Sequence, residues 1–129
     1  MKDRGFTVVE VLAFFLLLSV VGLIFLSQKN ALDAIHRDRD RKTAINEIYY
    51  NLQEVAYPAL KGYPSTLSVK QLSTLDRSFL TDPAGHKIGS KDSDYRYEPT
   101  GCNGGTLCTG FTLRTELERE ADFVKSSFR

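Results

Sequence analysis

The 129-residue sequence contains few residues of the types that build metal centres or disulfide frameworks. Its two Cys and two His are too few for a zinc ribbon or for a small domain held by several disulfides. Its net charge is +1, from 17 Lys and Arg against 16 Asp and Glu. A balanced chain has no global basic field for nucleic acid, so we predict no specific nucleic-acid partner. The 42% hydrophobic content excludes a charge-extended disordered chain.

Recognisable catalytic signatures are also missing. The sequence has no G-x-S-x-G, no H-E-x-x-H and no phosphate-binding Gly-rich loop. His36 falls in a charged stretch and His86 in a predicted loop, and neither has an obvious acid or nucleophile beside it. We therefore predict that the protein is not an enzyme and that it has no catalytic residues.

One long apolar run interrupts an otherwise polar chain. Residues 6–26 read FTVVEVLAFFLLLSVVGLIFL, and Glu10 is the single charged residue among them. As a helix this run is about 31 Å long, the thickness of the hydrocarbon core of a bilayer. A domain this small could hardly enclose such a helix, and a cleavable secretory signal usually has a shorter apolar run followed by a small-x-small site. We predict a single membrane-spanning helix.

The charges around this run give two further indications. More cations follow the run than precede it, although Asp residues are interspersed with them. Counted literally, the positive-inside rule would place the C-terminal side in the cytoplasm. Within the run, a carboxylate costs about 2.5–3.5 kcal/mol or more at mid-bilayer and somewhat less near one end. Glu10 either reaches the membrane interface or pairs with a cation.

The first ten residues combine a short charged leader with Gly5, Phe6, Thr7 and Glu10, directly before the apolar run. This arrangement resembles the class III leader of type IV prepilins and pseudopilins. The resemblance implies cleavage between Gly5 and Phe6 by a membrane-embedded prepilin peptidase on the cytoplasmic side, followed by N-methylation of Phe6. It also implies that Glu10 pairs with the N-terminal ammonium of a neighbouring subunit during assembly.

The resemblance implies a structural role. The expected protein is a subunit of a type IV pilus-like or type II secretion-like filament that polymerises through its apolar helix. Its expected partners are copies of itself and other pilins, the prepilin peptidase, an inner-membrane assembly platform and the lipid bilayer. Before assembly it would be a single-pass cytoplasmic membrane protein with its head outside the cytoplasm, and afterwards part of a periplasmic or cell-surface filament. The alternative is a monomeric membrane-anchored extracytoplasmic binding module.

The sequence predicts an α+β, pilin-like fold, with one long N-terminal helix packed on a small antiparallel sheet of about three strands. Residues 28–57 contain neither Gly nor Pro and repeat apolar residues at helical spacing, so the helix should continue to Pro58. The expected parts are a leader over 1–5, a membrane and assembly helix over 6–26, its amphipathic continuation over 27–57 and a globular head over 58–129.

Charge and alternation patterns refine this fold. Residues 36–42 read HRDRDRK, which predicts a solvated helix face, with an inter-subunit contact zone as the alternative. Residues 62–65 predict a turn and residues 82–94 a loop. Strands are predicted from Tyr95 onward, over 111–118 and over 123–128, because apolar and polar residues alternate there.

The two cysteines and two aspartates are the remaining candidate site residues. A Gly-rich segment separates Cys102 from Cys108, and a hairpin tip there would bring the sulfurs together. A structural disulfide, a metal pair, a redox pair and two free thiols are the alternatives. The segment from Cys108 resembles small pilin heads in which a disulfide closes the last hairpin. Asp82-Pro83-x-Gly85 is similar to a turn of major pseudopilins, some of which bind calcium in a following loop. Asp92 and Asp94 are the calcium candidates here.

Overall fold

The computed structural model describes residues 5–68, 71–72 and 74–128. The chain divides into two compact units, Met1–Ala34 and Ile35–Arg129. The predicted fold class is confirmed, because one long N-terminal helix accompanies small antiparallel sheets.

The long helix has three segments. Helix α1 covers Val8–Asn51, a π-helical turn covers Leu52–Ala56, and the short helix α2 covers Tyr57–Leu60. The prediction that the helix stops before Pro58 is therefore wrong by about one turn. Proline lacks an N–H group but fits the first turn of a helix, and here it lies at the start of α2, directly after the π turn.

The π turn changes which residues face the core. On α1 the buried apolar residues Ala44, Ile45 and Ile48 follow helical spacing, as predicted. Continued α-helical spacing would bring Val55 inward, but Val55 is 43% exposed while Gln53 is fully buried. A π turn inserts one extra residue into the helical repeat, which shifts the inward face along the sequence.

A three-stranded antiparallel sheet packs on this helix face. Its strands are β2 (Tyr95–Thr100), β4 (Gly110–Thr115) and β5 (Phe123–Ser126), in the order β2-β4-β5. The inward side chains of β4 alternate along the strand as predicted, and Phe111, Leu113 and Thr115 are buried. The ring of Phe111 lies 6.0 Å from that of Tyr49 on α1, so the sheet and the helix share one core.

A second, two-stranded sheet was not anticipated. Strand β1 (Tyr63–Pro64) pairs with β3 (Leu107–Cys108) in the segment predicted as a turn. The Gly and Pro content of residues 62–65 indicates a turn locally, but the burial of Tyr63 decides the conformation. Its ring is fully buried 4.7 Å from Phe111, and its hydroxyl donates to Gln53 Oε1 at 2.7 Å.

The charged segment of α1 takes part in a buried ion cluster. The guanidinium of Arg41, only 8% exposed, donates to carboxylates of Asp38, Asp94 and Glu118 at 2.8–3.1 Å. Asp38 in turn accepts from the backbone N–H groups of Glu118 and Arg119 at 2.8 and 3.0 Å. We call Asp38, Arg41, Asp94 and Glu118 the Arg41 cluster, and it joins α1 to two loops of the sheet region.

This cluster corrects the prediction that residues 36–42 form a solvated face. Arg39 and Asp40 are exposed as predicted, but Asp38 and Arg41 are buried. The reason is their spacing, since positions 38 and 41 precede Ile45 and Ile48 on the same side of the helix. The two charges are buried because carboxylates and N–H groups from distant loops complete their hydrogen bonding.

The ionisation of Glu118 is fixed by the same contacts. Arg37 donates to both of its carboxylate oxygens at 2.7 Å, and Arg41 donates to one of them at 2.8 Å. The two guanidinium groups lower the pKa of Glu118 to about 2. The carboxylate is therefore charged throughout the neutral pH range, so the cluster keeps its opposite charges there.

Replacing Arg41 should destabilise the second unit strongly. We expect Arg41→Met to lower the free energy of unfolding by about 3 kcal/mol, because it leaves the buried carboxylate of Asp38 without its cation. The measurement is urea denaturation of the full chain in detergent, monitored by the near-ultraviolet circular dichroism of its tyrosines. The control is Arg39→Met on the exposed side of the same helix, which should shift stability by less than about 0.5 kcal/mol. Equal stabilities of the two variants would contradict the structural importance of the cluster.

Candidate functional site

The predicted cleavage junction lies before the first turn of α1. Gly5 and Phe6 are outside the helix, and the side chain of Phe6 is 87% exposed. A Cβ atom added to Gly5 would meet nothing within 4 Å, so the fold itself does not require glycine there. The junction therefore presents an accessible peptide bond, and a preference for glycine has to come from whatever binds it.

Thr7 and Glu10 form a reciprocal cap at the start of α1. The Thr7 backbone N–H and hydroxyl both donate to Glu10 Oε2, at 2.8 and 3.0 Å. The Glu10 backbone N–H lies 3.4 Å from Thr7 Oγ1, and Val11 N–H donates to the Thr7 carbonyl. This is a capping box, in which a threonine and a glutamate three residues apart satisfy each other's free backbone donors. Sequence reasoning missed it, although T-x-x-E was visible.

Only one oxygen of the Glu10 carboxylate takes part in this cap. Both Thr7 donors reach Oε2, and no other contact to the carboxylate is present within the described residues. Phe6, Glu10, Val11 and Phe14 line an open, largely apolar cavity of about 390 Å³. The site therefore combines an acceptor oxygen with an apolar surround, an arrangement that suits a cationic group carried on an apolar side chain.

The helix after this cap is apolar and unprotected. Every residue from Val8 to Asn30 is exposed, including fifteen large apolar side chains such as Leu12, Phe15 and Ile24. By length and composition, Val8–Leu60 is the one helix within the described residues that could cross a membrane. An exposed apolar surface of this extent is typical of a lipid or protein contact.

The predicted cysteine site is a disulfide. Cys102 and Cys108 are bonded to each other, and they enclose the connection between β2 and β3. Cys108 is buried and belongs to β3, where it pairs with Tyr63. The bond therefore fastens an exposed Gly-rich loop to the two-stranded sheet beside the core.

The carboxylate of Asp82 organises the loop over residues 82–94. Burial opposes ionisation of Asp82, but N–H groups of Asp94, His86 and Ala84 donate to its carboxylate at 2.8–3.0 Å and keep its pKa below the usual value. The described residues contain no group of three His, Cys, Asp or Glu side chains suited to a metal. Asp94 binds Arg41, and Asp92 alone cannot supply the six to eight oxygens that Ca²⁺ prefers. Asp92 and Asp94 are therefore not brought together with a third such side chain in the described part of the chain.

Comparison with known proteins adds no relative: no family model, no curated protein and no solved structure matches the chain. The likeness to prepilins therefore rests on the sequence, most sharply over residues 1–26 and more loosely beyond them.

Removing the disulfide should weaken the fold without abolishing it. We expect the double variant Cys102→Ser, Cys108→Ser to lose roughly 2 kcal/mol of unfolding free energy, since the bond closes only a short loop in the unfolded chain. The measurement compares urea denaturation of the two full chains under non-reducing conditions. Adding a reductant to the parent protein should reproduce the variant's midpoint. A parent protein unaffected by reductant would contradict the assigned bond.

Proposed function

We propose that this protein is a type IV pilin-like structural subunit, cleaved after Gly5 and assembled into a filament through its apolar N-terminal helix. The observation that carries the proposal is the order of features at one end of the chain. Gly5 and Phe6 form an accessible junction, Glu10 lies four residues beyond Phe6, and the exposed apolar face begins at once. A plain membrane anchor has no need for this order.

Glu10 supports the proposal on energetic grounds. A lone carboxylate in an apolar helix is costly, and the Thr7 cap leaves its second oxygen without an acceptor role in the described residues. Cleavage after Gly5 would create an ammonium group on Phe6. Two such opposite charges are tolerated in an apolar medium only when they are paired, so the ammonium of one subunit and Glu10 of the next would determine the axial register of the filament.

The exposed apolar helix suits both the membrane-inserted subunit and the subunit in a filament. In the membrane, lipid chains would cover the side chains between Val8 and Leu26. In the filament, the helices of neighbouring subunits would replace the lipid, because either environment removes the same apolar surface from water. The second unit, which has its own polar surface and disulfide, would remain outside the cytoplasm, where disulfides persist.

Substitutions at Glu10 should separate its charge from its capping role. We expect Glu10→Val to insert into the membrane normally but to be excluded from filaments. Glu10→Gln is the matched variant, because glutamine also serves in a capping box but carries no charge. We expect both variants to reduce sheared-filament yield at least tenfold, measured by immunoblotting of sheared and membrane fractions. Normal filaments from Glu10→Gln would show that the cap suffices, and normal filaments from both would overturn the assembly role.

Processing should be visible in the protein recovered from its native membrane. We expect intact-mass and N-terminal analysis to find a chain that begins at Phe6 and carries one added methyl group. Gly5→Leu is the control, because a Cβ atom at position 5 meets nothing within 4 Å in this fold, whereas a large side chain should obstruct an extended backbone in a protease cleft. That variant should retain residues 1–5.

A different first residue in the recovered chain would lead to a different conclusion. A chain that still begins at Met1 would favour the membrane-anchored extracytoplasmic binding module over the filament subunit. A chain that begins beyond residue 30 would indicate a secreted second unit and would overturn the proposal.

A further inference from the structure

Two arginines lie directly opposite each other on the outer face of the three-stranded sheet. Arg96 of β2 is paired in register with Arg114 of β4. Their strand neighbours Tyr95 and Thr115 are buried against the core, so the alternation of strands places both arginines on the side facing away from α1. We call Arg96 and Arg114 the basic pair.

The basic pair is poorly satisfied within its own chain. Like charges directly opposite across two strands repel each other. The nearest carboxylate, on Glu98, is 3.7 Å from Arg114 Nη2 and is itself mostly exposed. Arg114 Nε is buried without a hydrogen-bond partner, and no ion pair of Arg96 is found in the described residues. An acidic group from outside would relieve the repulsion between the two guanidinium groups.

Two exposed carboxylates lie on α1 in the same unit. Asp40 and Glu47 are seven residues apart on α1, which brings them to one face of the helix two turns apart. Both are exposed, while Ile45 and Ile48 face the core. Neither carboxylate makes a hydrogen bond or ion pair in the part of the chain that the structure describes. We call Asp40 and Glu47 the acidic row.

Within the described residues, no ion pair joins the basic pair to the acidic row. We propose that the basic pair of one copy binds the acidic row of the next copy. Charge complementarity favours a second copy as the partner, since each chain carries both surfaces. A contact between two different patches is heterologous, and repeated heterologous contacts that do not close produce an open helical filament.

This inference rests on the proposed filament function and specifies where neighbouring second units touch. Exposed ion pairs contribute little affinity and are screened by salt. The apolar helices would therefore supply the affinity, and the charged contact would select the rotation of each subunit relative to the next.

Cross-linking can test the contact in the full-length protein in its membranes and sheared filaments. Arg114→Lys preserves the charge and adds an amine that a zero-length carbodiimide joins to a touching carboxylate. We expect covalent dimers whose linked peptides contain position 114 and Asp40 or Glu47. Mixing isotopically labelled and unlabelled chains identifies links between copies. Arg77→Lys, at an exposed position before β2, is the control and should give none of these links.

Charge reversal supplies the second measurement. We expect Arg114→Glu to reduce sheared-filament yield at least fivefold, and we expect the added change Glu47→Arg to restore at least half of it. Lys87→Glu, at an exposed loop position, is the matched control and should leave the yield unchanged.

Two outcomes would overturn the inference while leaving the filament function intact. One is an unchanged sheared-filament yield in Arg114→Glu together with no carbodiimide cross-link from position 114 to the acidic row. The other is loss of binding to a polyanion such as heparin in Arg114→Glu with unchanged filaments, which would assign the basic pair to an anionic ligand. Failure of the unsubstituted protein to form filaments would instead refute the proposed function itself.

Discussion

The guanidinium of Arg41 is enclosed by carboxylates from three parts of the chain, and much of the second unit depends on keeping that charge neutralised. Asp38 comes from the same helix, Asp94 from the loop before β2, and Glu118 from the connection between β4 and β5. Because a buried charge tolerates little displacement of its partners, these contacts fix where the sheet begins and where its last connection crosses α1. The apolar stripe at Ile45 and Ile48 then packs against a sheet whose position is already constrained.

Periodicity was sufficient to predict the regular elements. The alternation around Phe111 and Leu113 and the helical spacing around Ile45 and Ile48 each indicate one buried face, and the structure confirms them. The features that sequence reasoning missed depend on distant partners. Arg41 is seen to be buried only when Asp94 and Glu118 are in place, and β1 forms only because Leu107 and Cys108 return beside Tyr63.

The N-terminal site shows the same division. The order Gly5, Phe6, Glu10 and apolar run is legible in the sequence, because it is local and carries its own spacing. The capping contact between Thr7 and Glu10 is equally local. In the sequence, however, the energetic cost of a charge in an apolar helix is the more prominent signal. Glu10 therefore caps α1 within its own chain, and the proposed function adds an ion pair between Glu10 and the neighbouring chain.

The side chain of Asp82 links three backbone amides of its loop, in addition to the loop's own backbone hydrogen bonds, and this affects how the loop opens. Its carboxylate receives the amides of Ala84, His86 and Asp94, so these three amides should exchange with solvent as one cooperative event and not residue by residue. Opening these three hydrogen bonds would also release the segment that carries Asp94 from Arg41. One buried carboxylate thus couples the opening of this loop to the contact between Asp94 and Arg41.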